Sequence, residues 1–276
     1  METAAFRAAL ALLVLFVLTA LVGPYLVPHD PLAGSLRARL DPPGWVPGGA
    51  WTHLLGTDRL GRDVLSRIVE GARISLAVCV VVIALAGTVG TTIGTLSGYL
   101  GGWVDRVLMR LVDLALSLPV ILLALLLGAI SGPSFANIVI VISLVLWSQY
   151  ARMARGETLR VKSEDYVDLA RTSGLGHGTI LFRHVLPNIA PSLIVVATLQ
   201  VGVVIVLEAS LSFLGVGVPP PNPSWGSMVA EGRSYVVTAW WVSLFPGIAI
   251  LLVVMAVNIV GDTLTDRINP ALRTRA

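Results

Sequence analysis

Five stretches of this 276-residue chain carry no charged side chain for long enough to cross a bilayer: Ala8–Val27, Ile74–Val104, Leu114–Ala151, Ile189–Leu207 and Ser234–Gly261. About 20 apolar residues suffice for a membrane helix. Nothing constrains the fold more, because lipid offers the backbone no hydrogen bonds and only helices and closed barrels satisfy their own. The ten-residue alternating segments of a barrel are missing, so the runs read as helices. Composition agrees: 55% of residues are hydrophobic and 13% charged, against roughly 25% charged in soluble domains.

Glycine, proline and charge divide the runs into six spans, an all-α polytopic fold. The first covers about 6–26. A polar segment, 28–73, follows, and its second half (Gly56 to Gly71) sets charges among Leu60, Val64, Leu65, Ile68 and Val69 at helical spacing. That pattern predicts an amphipathic helix on the membrane surface. Span two is about 74–96, closed by a Ser97-Gly98-Tyr99 turn with aromatic anchors. Span three runs from Asp105 to about Ile130, and span four from Phe135 to Tyr150. Span five covers 191–214 and span six 240–261, entered through Trp240-Trp241. The domain division is 1–72, a first helix plus an external segment, and 73–276, a five-helix core carrying a loop at 152–190.

Six spans put both termini on one side. That side carries twelve basic residues: Arg7, Arg106, Arg110, six from Arg152 to Arg183, and Arg267, Arg273 and Arg275. The other side carries seven. The positive-inside rule places termini and loop in the cytoplasm. The basic residues are spread over loops, which reads as topology and not as a nucleic-acid surface. A lone cysteine, Cys79, excludes a disulfide framework, and the first run lacks a cleavage site, so it is retained as a span. His29, His53, His177 and His184 show no metal-ligand spacing, and no metal site is expected.

Between spans four and five lie about forty residues where neighbouring spans need only a few. Ser163 reads as an N-cap, with Glu164 and Asp165 in the first turn. Tyr166, Leu169 and Ala170 form an apolar stripe, and Gly174 ends the helix. A glycine turn (Gly174 to Gly178) and a second short helix, Thr179 to Leu186, closed by Pro187, follow. Glu164, Asp165 and Asp168 crowd one and a half turns, and an anionic leaflet repels such a segment. Docking against a protein partner is the better reading.

These residues carry a resemblance. Asp168-Leu169-Ala170 with Gly174, then His184, Leu186 and Pro187, resembles the cytoplasmic "EAA" loop of ABC importer permeases, with Asp168 for the usual Glu and Leu169 for the first Ala. Gly56-Thr-Asp-Arg-Leu-Gly-Arg-Asp-Val-Leu-Ser-Arg67, Glu208-Ala-Ser-Leu-Ser-Phe-Leu-Gly215 and Pro223-Ser-Trp-Gly226 are similar to the dipeptide/oligopeptide/nickel branch, nearest its C-type subunit. The resemblance implies a type I importer permease of the bacterial inner membrane, whose cytoplasmic coupling helix docks on an ATPase. Its docking residues would be Glu164, Asp165, Asp168, Leu169, Ala170, Gly174, His184, Leu186 and Pro187. It also implies a second permease, two ATP-binding subunits holding ATP and Mg, an extracytoplasmic binding protein, and surrounding lipid. This chain would hold no cofactor and catalyse nothing. Asp58, Arg62, Asp63 and Trp225 are the candidate binding-protein contacts.

Gly156 to Ser163 is a near miss to a phosphate-binding loop, with Val161 where the second glycine belongs. Glu208, within span five, is a candidate path residue, because a carboxylate in a membrane is costly. Gln200 and Asn258 read as interhelical hydrogen-bonders, and Asp113 as a structural partner of an arginine. A self-sufficient secondary transporter of small solutes is the alternative, but it needs coupling-ion sites and commonly an inverted repeat. An intramembrane enzyme lacks a catalytic set. Dipeptide, oligopeptide and nickel chelate all remain open as cargo.

Overall fold

The structure is a computed structural model and describes residues 4–268, with the side chains of Arg267 and Ile268 left aside. Arg273 and Arg275, counted above for topology, lie outside the described residues. In chain order the helices are α1 (Ala4–Val22), α2 (Val64–Leu100), α3 (Gly102–Ser117), α4 (Val120–Ser131), α5 (Phe135–Lys162), α6 (Asp165–Thr172), α7 (His177–Ile180), α8 (Leu186–Phe213), α9 (Trp225–Gly232) and α10 (Trp241–Ile268). Among the described residues there is no strand, only one isolated bridge between Thr57 and Asp63. Among the described residues, five helical segments are long and apolar enough to cross a membrane, and the α3–α4 pair makes a sixth if counted as one span. Large apolar side chains stand exposed along them, Leu15, Leu21, Val80, Leu122 and Leu251 among others. Water would penalise that surface and lipid does not.

Four expectations are corrected. Span three is not one helix: α3 and α4 bend by 78°, because Pro119 lacks the N–H that would continue the ladder and restricts Leu118 before it. Leu118 is accordingly extended, at φ −81° and ψ 125°. Span four does not stop at Tyr150, which is 2% exposed. Its helix continues to Lys162 because the arginines beyond find acids, Arg152 on Asp113 at 2.8 Å and Arg155 on Asp105 at 2.5 and 2.6 Å. The Gly56–Gly71 segment is not a surface helix, since helix begins only at Val64 and then runs unbroken to Leu100. Finally, Pro187 closes nothing. A π-turn (Leu181–Val185) joins α7 to α8, with Leu186 N–H donating to Leu181. The wider turn carries the chain past a residue that has no donor.

Contacts group the chain into two compact units. The first comprises residues 1–80, 124–139 and 201–260. Its core joins Val64, Met228, Ala239, Trp241 and Val242. The second comprises residues 81–123, 140–200 and 261–276, with a core of Tyr99, Val161, Val167, Ala170, Ile180, Val185 and Ile189. Within the second, α2 meets α5 through Gly90, Gly94 and Gly98, one per turn. A Cβ on Gly94 would collide with the Ala151 carbonyl, and one on Gly98 would lie 2.9 Å from that of Arg155. Small residues at four-residue spacing are how membrane helices bring backbones together.

Candidate docking surface and buried charge cluster

The loop of the second unit is built on Tyr99. The residue is 6% exposed; its hydroxyl lies 3.0 Å from His177 Nδ1, and its carbonyl accepts from Lys162 Nζ at 2.6 Å. The Arg171 guanidinium and the Lys162 ammonium each stand within 6 Å of the ring centre, at 5.7 and 5.8 Å. Tyr99 is therefore the post on which α6 and α7 rest, not an interface anchor. Sequence reasoning missed it as a supporting residue, although Gly98 beside it was a signal that another backbone comes close.

On that support α6 turns Val167 and Ala170 inward, at 0% and 7% exposure. The predicted stripe of Tyr166, Leu169 and Ala170 is off by one residue. The next helices cover the Val167–Ala170 face, and Tyr166 and Leu169 point out. Leu169, on α6 with Asp165 and Asp168, is 71% exposed, and Phe182 in the π-turn is 70% exposed. The cap also moves. Glu164 holds the N-cap position without a side-chain cap, while Ser163 Oγ donates back to Arg160 O at 2.8 Å. Gly174 ends the helix as expected, at φ +78°, with Leu175 N–H reaching Ala170 O at 3.2 Å.

Of the nine residues expected to dock, Glu164, Asp165, Asp168, Leu169, Gly174 and Pro187 are exposed. His184 is half-buried, its ring 6.3 Å from that of Tyr166. Ala170 and Leu186 belong to the core and support the surface from beneath. The Gly156–Ser163 near miss is helical through Lys162. Its backbone N–H groups face carbonyls, so no phosphate loop forms, and its lysine is held on Tyr99.

In the first unit, the residues expected to meet a binding protein are interior. Asp58, Asp63 and Trp225 are at most 2% exposed and Arg62 6%. Gly56 and Gly61, at φ +79° and +71°, fold the segment into a turn. Asp58 accepts from the N–H groups of Leu60 and Arg62 at 2.7 and 3.0 Å, and from Arg62 Nε at 2.7 Å. Arg67 also bonds it, and Glu231 accepts from Arg62 and Arg67 at 3.1 and 3.0 Å. Burial works against the Asp58 charge, but the two arginines and the backbone donors outweigh it and hold its carboxyl below the usual range. Trp225 Nε1 donates to Ile68 O at 2.9 Å and Trp241 Nε1 to Thr57 O at 3.0 Å. These side chains fasten the extension to the helices, which is the physical reason they are unavailable at a surface.

Glu208 is 1% exposed, accepts from Ser212 Oγ at 2.7 Å and faces protein, not lipid. The open groove lined by Val206, Ala209, Ser210 and Phe213 does not include it. Gln200 donates to Gln149 at 2.6 Å, an interhelical bond as expected. Two of the four scattered histidines do converge: His53 Nδ1 lies 3.0 Å and His29 Nδ1 4.0 Å from Asp63 Oδ1.

Residues 90–274 match the family model described as the binding-protein-dependent transport system inner membrane component. The chain is 42% identical over 267 residues to the di/tripeptide transport system permease protein of Pseudomonas aeruginosa, covering 97% of this chain and 88% of that one. It is 44% identical over 261 residues to the dipeptide transport system permease protein of Escherichia coli, covering 95% and 86%. Among solved structures, the MetNI methionine ABC transporter in an inward-facing conformation has a chain of similar fold, with a TM-score of 0.61 at 18% identity, covering 75% of this chain and 96% of that chain.

Proposed function

The chain belongs to the binding-protein-dependent transport system inner membrane components, and we propose that it is a permease subunit of an ATP-driven importer of di- and oligopeptides. Peptide as cargo is supported by the relatives, named for di/tripeptide and dipeptide transport at 42% and 44% identity. One observation carries the mechanism: α6 exposes the apolar Leu169 between Asp165 and Asp168, while Val167 and Ala170 on its other face fix the helix to the core. An exposed apolar patch with a polar rim is the form of a protein docking site. We assign it to an ATP-binding subunit.

In this reading ATP and Mg are bound by two such partners, and a second homologous permease completes the path. An extracytoplasmic binding protein delivers the peptide. Closure of the ATPases moves α6, and the direct run from α7 through the π-turn into α8 passes that movement to a membrane-spanning helix. Glu208, enclosed beside Ser212, is our candidate for a residue of the path. The loop and both termini lie in the cytoplasm of a bacterial cell, as the distribution of arginine supports.

Uptake by proteoliposomes holding the chain with its ATPase partners tests this. Leu169→Asp and Gly174→Trp should leave the chain folded while reducing ATPase co-purification and dipeptide uptake by at least about tenfold, roughly 1.4 kcal/mol. Proton- or sodium-driven uptake by the chain alone would defeat it. Cys79 is buried, so a cysteine introduced at exposed Leu175 reports sidedness by labelling. Labelling from outside the cell would overturn the orientation.

A further inference from the structure

Three separated parts of the first unit meet at one point: His29 just after α1, His53 in the middle of the extension, and Asp63 at the start of α2. Their candidate ligand atoms all lie within 4.8 Å of one another. The two imidazole rings sit 4.7 Å apart, tilted by 35°, and both present Nδ1 to Asp63 Oδ1, at 3.0 Å for His53 and 4.0 Å for His29.

A hydrogen bond explains only one of those rings. His53 is within bonding distance; His29 is not, and its Nδ1 is buried without a hydrogen-bond partner. An unsatisfied buried nitrogen costs about 1–3 kcal/mol. The carboxylate is already positioned, since its other oxygen accepts from Ser66 N–H and Ser66 Oγ, both at 2.8 Å. That is the outer support which orients a metal ligand. An ion about 2.0–2.2 Å from each of three donors needs donors roughly 3–4 Å apart; each histidine meets that spacing to Asp63, at 3.0 and 4.0 Å, and all three donors lie within 4.8 Å of one another. Both rings keep partial exposure, 37% and 17% for His29 and His53, so a fourth position is open to water.

We propose that His29, His53 and Asp63 form a binding site for a divalent first-row transition ion. Two imidazoles and one carboxylate favour zinc. The ion clamps the end of α1, the middle of the extension and the beginning of α2 to one another. The site does not depend on which solute the chain carries.

The test uses the full chain, purified in detergent with a tag free of histidine. Zinc is titrated against a fluorescent chelator, and the bound metal's environment is read by X-ray absorption. One equivalent per chain, a shell containing two imidazoles, and a rise in Tm on zinc addition are expected. His29→Gln and His53→Gln should each weaken binding more than about tenfold and abolish the rise in Tm. His177→Gln/His184→Gln should leave both intact. If a His53 variant does not fold, the absorption spectrum of the unaltered chain decides alone: a shell without histidine overturns the site. So does the absence of saturable binding, or binding indifferent to the His29→Gln/His53→Gln pair.

Discussion

Two charged strings of this chain look alike on paper and fold in opposite senses. Ser163-Glu-Asp-Tyr-Val-Asp-Leu-Ala-Arg171 keeps its charges outside and buries only Val167 and Ala170. Thr57-Asp-Arg-Leu-Gly-Arg-Asp-Val-Leu-Ser-Arg67 buries Asp58, Arg62, Asp63 and Arg67, and leaves Leu60 39% exposed. Glycine placement separates them. In the first string Gly174 follows the helix and ends it. In the second, Gly56 and Gly61 break the segment at its start and middle, so donors and acceptors a turn apart fold onto each other. Charge then becomes internal glue, with each acid met by an arginine or a backbone N–H.

The widest separation should come from deleting one charge in each region. Arg67→Ala leaves Asp58 and Glu231 without a main partner in a site where Arg67 itself is 1% exposed. Removing one member of a buried ion pair costs about 3–5 kcal/mol. Asp168→Ala, in an exposed pair with Arg171 at 3.4 Å, should alter stability by less than about 0.5 kcal/mol. Thermal unfolding of both variants in the same detergent makes the measurement, and equal losses would erase the distinction. Acid sharpens it further. The folded carboxyl of Asp58 titrates below its unfolded value, so its contribution is complete above about pH 3.9 and is lost as pH falls through the lower folded value. Asp58→Asn should flatten that part of the stability curve.

The two regions also differ in how much of them could be read beforehand. The membrane helices and the loop were legible because hydrophobic runs, an acid cluster and Gly174 report on local structure. The stripe on α6 was missed by one residue, since which face is covered depends on Tyr99, far away in sequence. The Gly56–Gly71 turn was misread for the same reason. Apolar residues at helical spacing outweighed two glycines, and the partners are distant: Ser35 N–H, which donates to the Gly61 carbonyl, and the acceptors at Asp41 and Glu231. Pro119 stands inside an uncharged run, where no change of polarity marks the bend it makes. Long-range partners decided all of these.

Glycine itself supplies the intermediate test. Gly61 and Gly174 share a left-handed conformation, which costs a residue with Cβ about 1–2 kcal/mol. Gly174 has open space around it, whereas a Cβ on Gly61 would strike the Ser35 backbone. Gly174→Ala should therefore cost only the conformational part, and Gly61→Ala roughly 1–3 kcal/mol more from crowding. Similar melting temperatures for the pair would mean that the extension yields at Ser35 to make room for the added methyl.

The smallest effect concerns Tyr99, where ring and hydroxyl contribute separately. Tyr99→Phe removes the bond to His177 but keeps the aromatic face under Arg171 and Lys162, and the backbone carbonyl that holds Lys162 is untouched. A single neutral hydrogen bond is worth about 0.5–1.5 kcal/mol, so a loss near the lower end is expected in unfolding. The loop would stay docked on its core. If α6 is a rigid base for a partner, ATPase association should hardly change in Tyr99→Phe and fall sharply in Tyr99→Ala, where Val167 and Ile180 lose their neighbour. A Phe variant that loses the partner while keeping its stability would place the hydroxyl–histidine bond in the coupling step itself.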